Sequence, residues 1–170
     1  MHSFESQIEK LIPRQFEKIK INCGKEFSGI NFFRINNHKP VKIKYIKFSN
    51  ADFSRKKDVS PHCEAVFFPE KVQAGEWILF LEMKYTGNPG RNPGYLQKAL
   101  KQLFCTWFYY KAKGIKMENY LTWLIASLPE QRPPFLNFQL TQADLIRWRR
   151  RNIIVKLANS INVLNRTTLE

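Results

Sequence analysis

The stretch Trp77-Ile-Leu-Phe-Leu-Glu-Met-Lys84 decides how this chain is read. It is an apolar strand that ends in a carboxylate and an amine two residues apart. Strand side chains alternate between faces, so Glu82 and Lys84 point one way, and Met83 points the other way with Leu81 and Leu79. Every position through Phe80 is apolar, as expected of a central strand covered on both sides. An acid and a base at the tip of such a strand are costly there unless they pair or bind something. A second apolar run, Cys63-Glu64-Ala65-Val66-Phe67-Phe68, carries another acid upstream.

Working outward, residues 62–68 and 76–85 read as a hairpin pair joined by Pro69-Glu-Lys-Val-Gln-Ala-Gly75. Before them, residues 41–48 alternate apolar and basic side chains, a strand with one solvated face whose phase slips near Tyr45-Ile46. Residues 50–61 form a polar loop containing Arg55-Lys56-Lys57-Asp58. Residues 3–20 carry Phe4, Ile8, Leu11 and Ile12 at helical spacing, a helical entry segment interrupted at Pro13. Residues 22–33 read as irregular or short-strand material.

On the other side, Gly87-Asn-Pro-Gly90-Arg-Asn-Pro-Gly94 is a tandem Asn-Pro-Gly segment suited to turns, without the glycine pattern of a phosphate-cradling loop. Residues 95–113 form the most strongly periodic helix. Leu96, Ala99, Leu100, Leu103, Trp107 and Tyr110 make its apolar stripe, Lys98 and Lys101 lie off it, and Gly114 suits its C-terminal cap. Residues 120–128 read as a strand, 141–151 as a short basic helix capped by Thr141, and 152–157 as a last strand. Neither an internal repeat nor a low-complexity tract is present.

The 170 residues suit one domain with a real core. A hydrophobic content of 44% argues for a folded chain. The net charge of +14 favours a polyanionic partner, nucleic acid foremost. Residues 1–83 hold 14 basic and 10 acidic side chains, whereas residues 84–170 hold 14 and 4, so the second half is the expected phosphate-facing half. Lys98, Lys101 and the run Arg147-Trp-Arg149-Arg150-Arg151 are the candidate contacts, with Trp148 stacking on a base or packing inward. Cys23, Cys63 and Cys105 are odd in number and widely spaced, which fits a reducing cytoplasmic setting rather than a disulfide framework. His62-Cys63 has no zinc-ligand spacing with the other cysteines. The first residues lack a signal-peptide pattern, and no apolar stretch approaches the roughly 20 residues that span a bilayer.

The order helix, strand, strand with Glu64, strand with Glu82-x-Lys84, helix with Gln102, strand, helix, strand resembles the PD-(D/E)xK nuclease superfamily over roughly residues 41–157. The resemblance implies an α/β fold: a mixed central sheet of four to five strands flanked by helices, with a restriction-endonuclease-like αβββαβ core in a single domain spanning 1–170. It also implies roles. Glu64 stands at the first-acid position, Glu82 is the second acid, Lys84 the lysine and Gln102 the helix glutamine. Glu17 is the choice for the first-helix acid, with Glu26 and Glu9 behind it. Two departures stand out: the first acid is usually Asp, and the proline that usually precedes it is replaced by Cys63.

Glu64 and Glu82 would then hold Mg²⁺ or Mn²⁺, hard cations that take oxygen ligands and keep several waters. Lys84 would orient a water and offset charge on the phosphate. The expected activity is hydrolysis of phosphodiester bonds, in DNA more than RNA, by a homodimer or within a larger complex. Restriction enzymes, resolvases, repair nucleases and effectors of antiviral defence against phage are small proteins of this kind. Two alternatives stay open: a catalytically inactive, basic nucleic-acid-binding subunit, and a protein whose basic face meets an acidic protein partner.

Overall fold

The computed structural model describes residues 33–37, 41–48 and 61–170, with the backbone of 54–55 and 58–59. The helical segment expected over 3–20, and Glu9, Glu17 and Glu26, lie outside the described residues. Nine short strands and two α-helices follow in order among those described. They are β1 (Arg34–Asn36), β2 (Ile43–Lys47), β3 (Ser54–Arg55), β4 (Asp58–Val59), β5 (Ala65–Pro69), β6 (Trp77–Met83), α1 (Asn92–Ala112), β7 (Leu121–Ser127), α2 (Gln142–Arg149), β8 (Ile153–Leu157) and β9 (Ser160–Asn162).

Five strands make the main sheet in the order β2-β5-β6-β7-β8. The β2–β5 and β5–β6 pairs are antiparallel, and the β6–β7 and β7–β8 pairs are parallel. That mixture follows from the connections: a hairpin joins β5 to β6, whereas α1 and α2 carry the chain back for each parallel strand. The mixed α/β architecture expected from the element order is therefore present, with five strands in the sheet.

β6 is central and apolar because both of its faces are covered. Ile78 and Phe80 join Val66 and Phe68 of β5, Leu124 of β7, and Leu96, Ala99, Leu103, Trp107 and Tyr110 of α1 in one core cluster. Trp77, Leu79 and Leu81 point the other way, into a second cluster with Phe67, Trp123, Ile125, Ile35 and Ile161. α2 adds Leu145 and Trp148 to the first cluster, so both described helices pack on one face. The opposite face is covered among the described residues by the parallel β1–β9 ribbon and the C-terminal segment.

Three local readings change. The phase slip at Tyr45-Ile46 is absent: β2 pairs regularly with β5 over five residues. Tyr45 stacks on Phe67 at 5.8 Å on one face while Ile46 packs on the helix-face cluster, so both are apolar because both faces are covered. The second Asn-Pro-Gly is the first turn of α1 rather than a loop, since proline at the start of a helix forfeits no hydrogen bond. Asn92, buried there, bonds Gln131 and the Leu136 carbonyl, and Gln131 in turn donates to the Thr86 carbonyl at 2.7 Å. This polar network ties segment 128–140 to the start of α1. The polar loop at 50–61 contains the two-residue β3–β4 pairing.

Gly114 ends α1 with φ +87°, as its capping position requires. Thr141 caps α2 by accepting from the Asp144 amide at 3.1 Å. Phe80→Ala removes a fully buried ring from the helix-face core. Urea denaturation is expected to show a loss of ~3–5 kcal/mol.

Candidate active site

The pairing of β5 with β6 brings the two acids together. Ala65 lies opposite Leu81 in the last pair of the antiparallel register, and Glu64 is the residue just before it. The Glu64 amide donates to the Leu81 carbonyl at 3.0 Å, so that Glu64 and Ala65 both face Leu81 as in a bulge, while the Glu64 carbonyl accepts from the Phe48 amide at 2.8 Å, in step with the β2 pairing. By alternation from Phe80, Glu82 lies on the face covered by α1, and the Glu64 carboxylate lies near it, within reach of its charge and of the Met83 amide.

Glu82 is buried, with only 6% of its side chain exposed, and Lys84 retains 15%. The Lys84 ammonium donates to Glu82 Oε1 and to Gln102 Oε1, the latter at 2.6 Å. Gln102 is held from its other end, because its Nε2 donates to the His62 carbonyl at 2.7 Å. Glu64 is half-buried and takes a hydrogen bond from the Met83 backbone amide. The Glu64 amide, in turn, lies within hydrogen-bonding reach of the Glu82 carboxylate. Four of the five expected catalytic residues therefore converge: Glu64, Glu82, Lys84 and Gln102. The fifth, Glu17, is outside the described residues.

Both carboxyl groups are held above the usual carboxylate range. Burial raises Glu64 most, then the negative charge of Glu82, while Lys47 and Lys84 pull it back. Burial also raises Glu82, against the hydrogen bond and charge of Lys84. Two acids thus share the charge of one buried ammonium, which leaves the cluster short of positive charge. Glu76, at the opposite end of β6, shows the contrast: its carboxylate is paired with the Arg166 guanidinium, which also donates to the Glu70 carbonyl at 3.0 Å.

The donor set suits a hard divalent cation. Glu64 and Glu82 offer neighbouring carboxylate oxygens, and a cation would supply the missing charge. Among the described residues no group of three or more His, Cys, Asp or Glu side chains gathers.

The other expected residues fall on both sides of this picture. Lys98 is exposed one helical turn before Gln102, on the same side of α1, with exposed Lys101 beside it. Arg147, Arg149, Arg150 and Arg151 are exposed but remote. They precede Ile153, which pairs with Thr122, and Thr122 pairs with Ile78, four residues before Glu82. At ~3.3 Å per residue and ~4.8 Å per strand, that register places the start of β8 roughly 16 Å from Glu82. Trp148 packs inward, with its ring 5.0 Å from that of Phe104. Arg149 and Arg150 instead line a groove of about 560 Å³ beside Ile146 and β8.

Sequence reasoning passed over two neighbours of the site. Tyr85 is 52% exposed, its hydroxyl 3.8 Å from Met83 Sδ, and burial followed by the charges of Glu64 and Glu130 pushes its phenol up. Thr106, wholly buried on α1, bonds the backbone just before Glu64. Cys63 is buried as well, and burial pushes its thiol far up, which excludes a thiolate nucleophile there.

Fold and site together define an α/β domain with an acid–acid–lysine cluster at the exit of its central strand. No protein-family model matches the chain, and searches of curated proteins and of solved structures give no match either. Among the described residues no helix is long and apolar enough to cross a membrane.

The raised carboxyls make a prediction about stability. A folded-state pKa above the unfolded one means that stability falls as pH rises from the ordinary carboxylate range through the raised value. Glu64→Gln removes that loss and keeps an acceptor for the Met83 amide. In EDTA it is expected to melt a few degrees above the parent protein at pH 8 and to show no gain at pH 4. Thermal melts across that pH range check the sign.

Proposed function

We propose that this protein is a divalent-metal-dependent nuclease that hydrolyses phosphodiester bonds, with DNA favoured over RNA. The observation that carries the reading is the convergence of Glu64, Glu82, Lys84 and Gln102. The order of β2, β5, β6, α1 and β7 agrees with the αβββαβ core implied by the resemblance to PD-(D/E)xK nucleases. The net charge of +14 supports a polyanionic substrate.

In this reading Glu64 and Glu82 hold Mg²⁺ or Mn²⁺. When bound, the ion polarises the scissile phosphate and acidifies a water. Lys84, fixed between Glu82 and Gln102, presents its ammonium to the oxygens on which charge develops. Gln102 keeps that ammonium in place by anchoring to the His62 carbonyl. Lys98 and Lys101, exposed along α1, attract the phosphate backbone towards the cluster. The protein works in the cytoplasm as a homodimer or within a larger complex.

One observation favours a second reading, a catalytically inactive nucleic-acid-binding subunit. The Lys84 ammonium is bonded directly to Glu82, so part of the cluster is satisfied internally. The two readings differ in a nuclease assay. Plasmid and RNA incubated with the protein in Mg²⁺ or Mn²⁺ are expected to be cut, and EDTA is expected to abolish cutting. Glu82→Ala should remove activity, and Lys84→Ala should lower the rate by roughly 10²–10³-fold. An absence of metal-dependent cutting of either substrate favours the binding subunit.

A further inference from the structure

The backbone just ahead of Glu64 is gripped twice by α1. Gln102 Nε2 donates to the His62 carbonyl at 2.7 Å, and the Cys63 amide donates to Thr106 Oγ1 at 2.7 Å. Thr106 closes the circuit, since its hydroxyl donates to the Gln102 carbonyl at 2.9 Å, one helical turn back. Its single proton is thereby committed to the helix and a lone pair is turned to Cys63. Both Thr106 and Cys63 are fully buried, so no water competes for this bond.

The position matters because the chain bends at Glu64, before the regular strand begins at Ala65. Without the α1 contacts, ladder bonds from the Glu64 backbone to Leu81 and Phe48 would hold that bend alone. A threonine hydroxyl that bonds back to its own helix is ordinarily a local matter. Here the same hydroxyl also reads a neighbouring strand. Cys63 has the N–H this requires, which a proline at that position would lack.

We infer that Thr106 is a positioning residue for the metal site, acting through the Cys63 amide to fix the Glu64 carboxylate near Glu82. Gln102 and Thr106, one turn apart on one helix, thus set the Lys84 ammonium and the Glu64 carboxylate from a common base. The inference rests on the nuclease reading of the same cluster. It adds a residue that contacts neither metal nor substrate.

The test measures Mn²⁺ affinity of the full chain by calorimetry for the parent protein, Thr106→Val and Thr106→Ser. Thr106→Val keeps the shape and loses the acceptor, and a weakening of roughly 10–100-fold is expected, as for residues that orient metal ligands. Thr106→Ser restores the acceptor and should return to within about threefold of the parent. With plasmid substrate, Thr106→Val should lower kcat with little change in KM, whereas a change confined to KM would contradict the role. If Thr106→Val does not fold, Thr106→Ala carries the same comparison. Unchanged Mn²⁺ affinity in the variant lacking the hydroxyl, or a serine variant as weak as the valine one, overturns the inference and leaves the nuclease reading standing. A parent protein that binds no Mn²⁺ overturns the nuclease reading itself.

Discussion

The antiparallel register between β5 and β6 is the constraint on which the rest depends. Ala65 opposite Leu81 puts one set of apolar side chains under α1 and the other against the β1–β9 side. Where that register ends, the Glu64 amide turns to the Leu81 carbonyl and its carboxylate comes near Glu82. A slip of one residue would send every side chain of β5 to the wrong face. The packing of the core thus sets where the two acids meet. The apolar length of β6 favours it, with Ile78, Leu79, Phe80 and Leu81 all at or below 1% exposure.

The cluster that results works against stability. Two carboxyls are pushed up by burial, Glu64 also by the charge of Glu82, and Lys84, with the charge of Lys47 on Glu64, offsets this only in part. Elsewhere the chain treats a buried acid differently, pairing Glu76 with Arg166 and with the Gln73 amide at 2.9 Å. Local conflict of this kind is what functional sites show when the remaining fold is consistent enough to impose it. The surrounding structure does impose it, through Gln102 and Thr106 on α1 and through amides on both strands.

What could be read from the sequence was what repeats with a short period. The alternation of β6 gave the common face of Glu82 and Lys84, and the stripe of α1 gave a helix that could cover that face. Gly114 and Thr141 were readable because their capping chemistry is local. Contacts between residues distant along the chain left no such trace. The Asn36–Asn162 bond, 126 residues apart, belongs to the β1–β9 ribbon, which the sequence did not show. Thr106 looked like one more residue in a helix, because its partner is a backbone amide and any residue but proline has one. Composition marked the arginines after Ile146 as candidate phosphate contacts but carried no address; the strand register sets the start of β8, which they precede, roughly 16 Å from Glu82. In the tandem Asn-Pro-Gly, two identical tripeptides adopt different structures because proline suits both a turn and a helix start.

The central claim is that Glu64 and Glu82 form one cation site at the exit of β6. Amide NMR of the isotope-labelled protein titrated with Mn²⁺ tests it most directly, because the paramagnetic ion broadens the nearest resonances. The account predicts that the amides of Glu64, Met83 and Lys84 broaden first and together, at Mn²⁺ concentrations that leave Glu118 and Asp144 sharp. Broadening that begins at those surface acids, with residues 64 and 82–84 untouched, would contradict it.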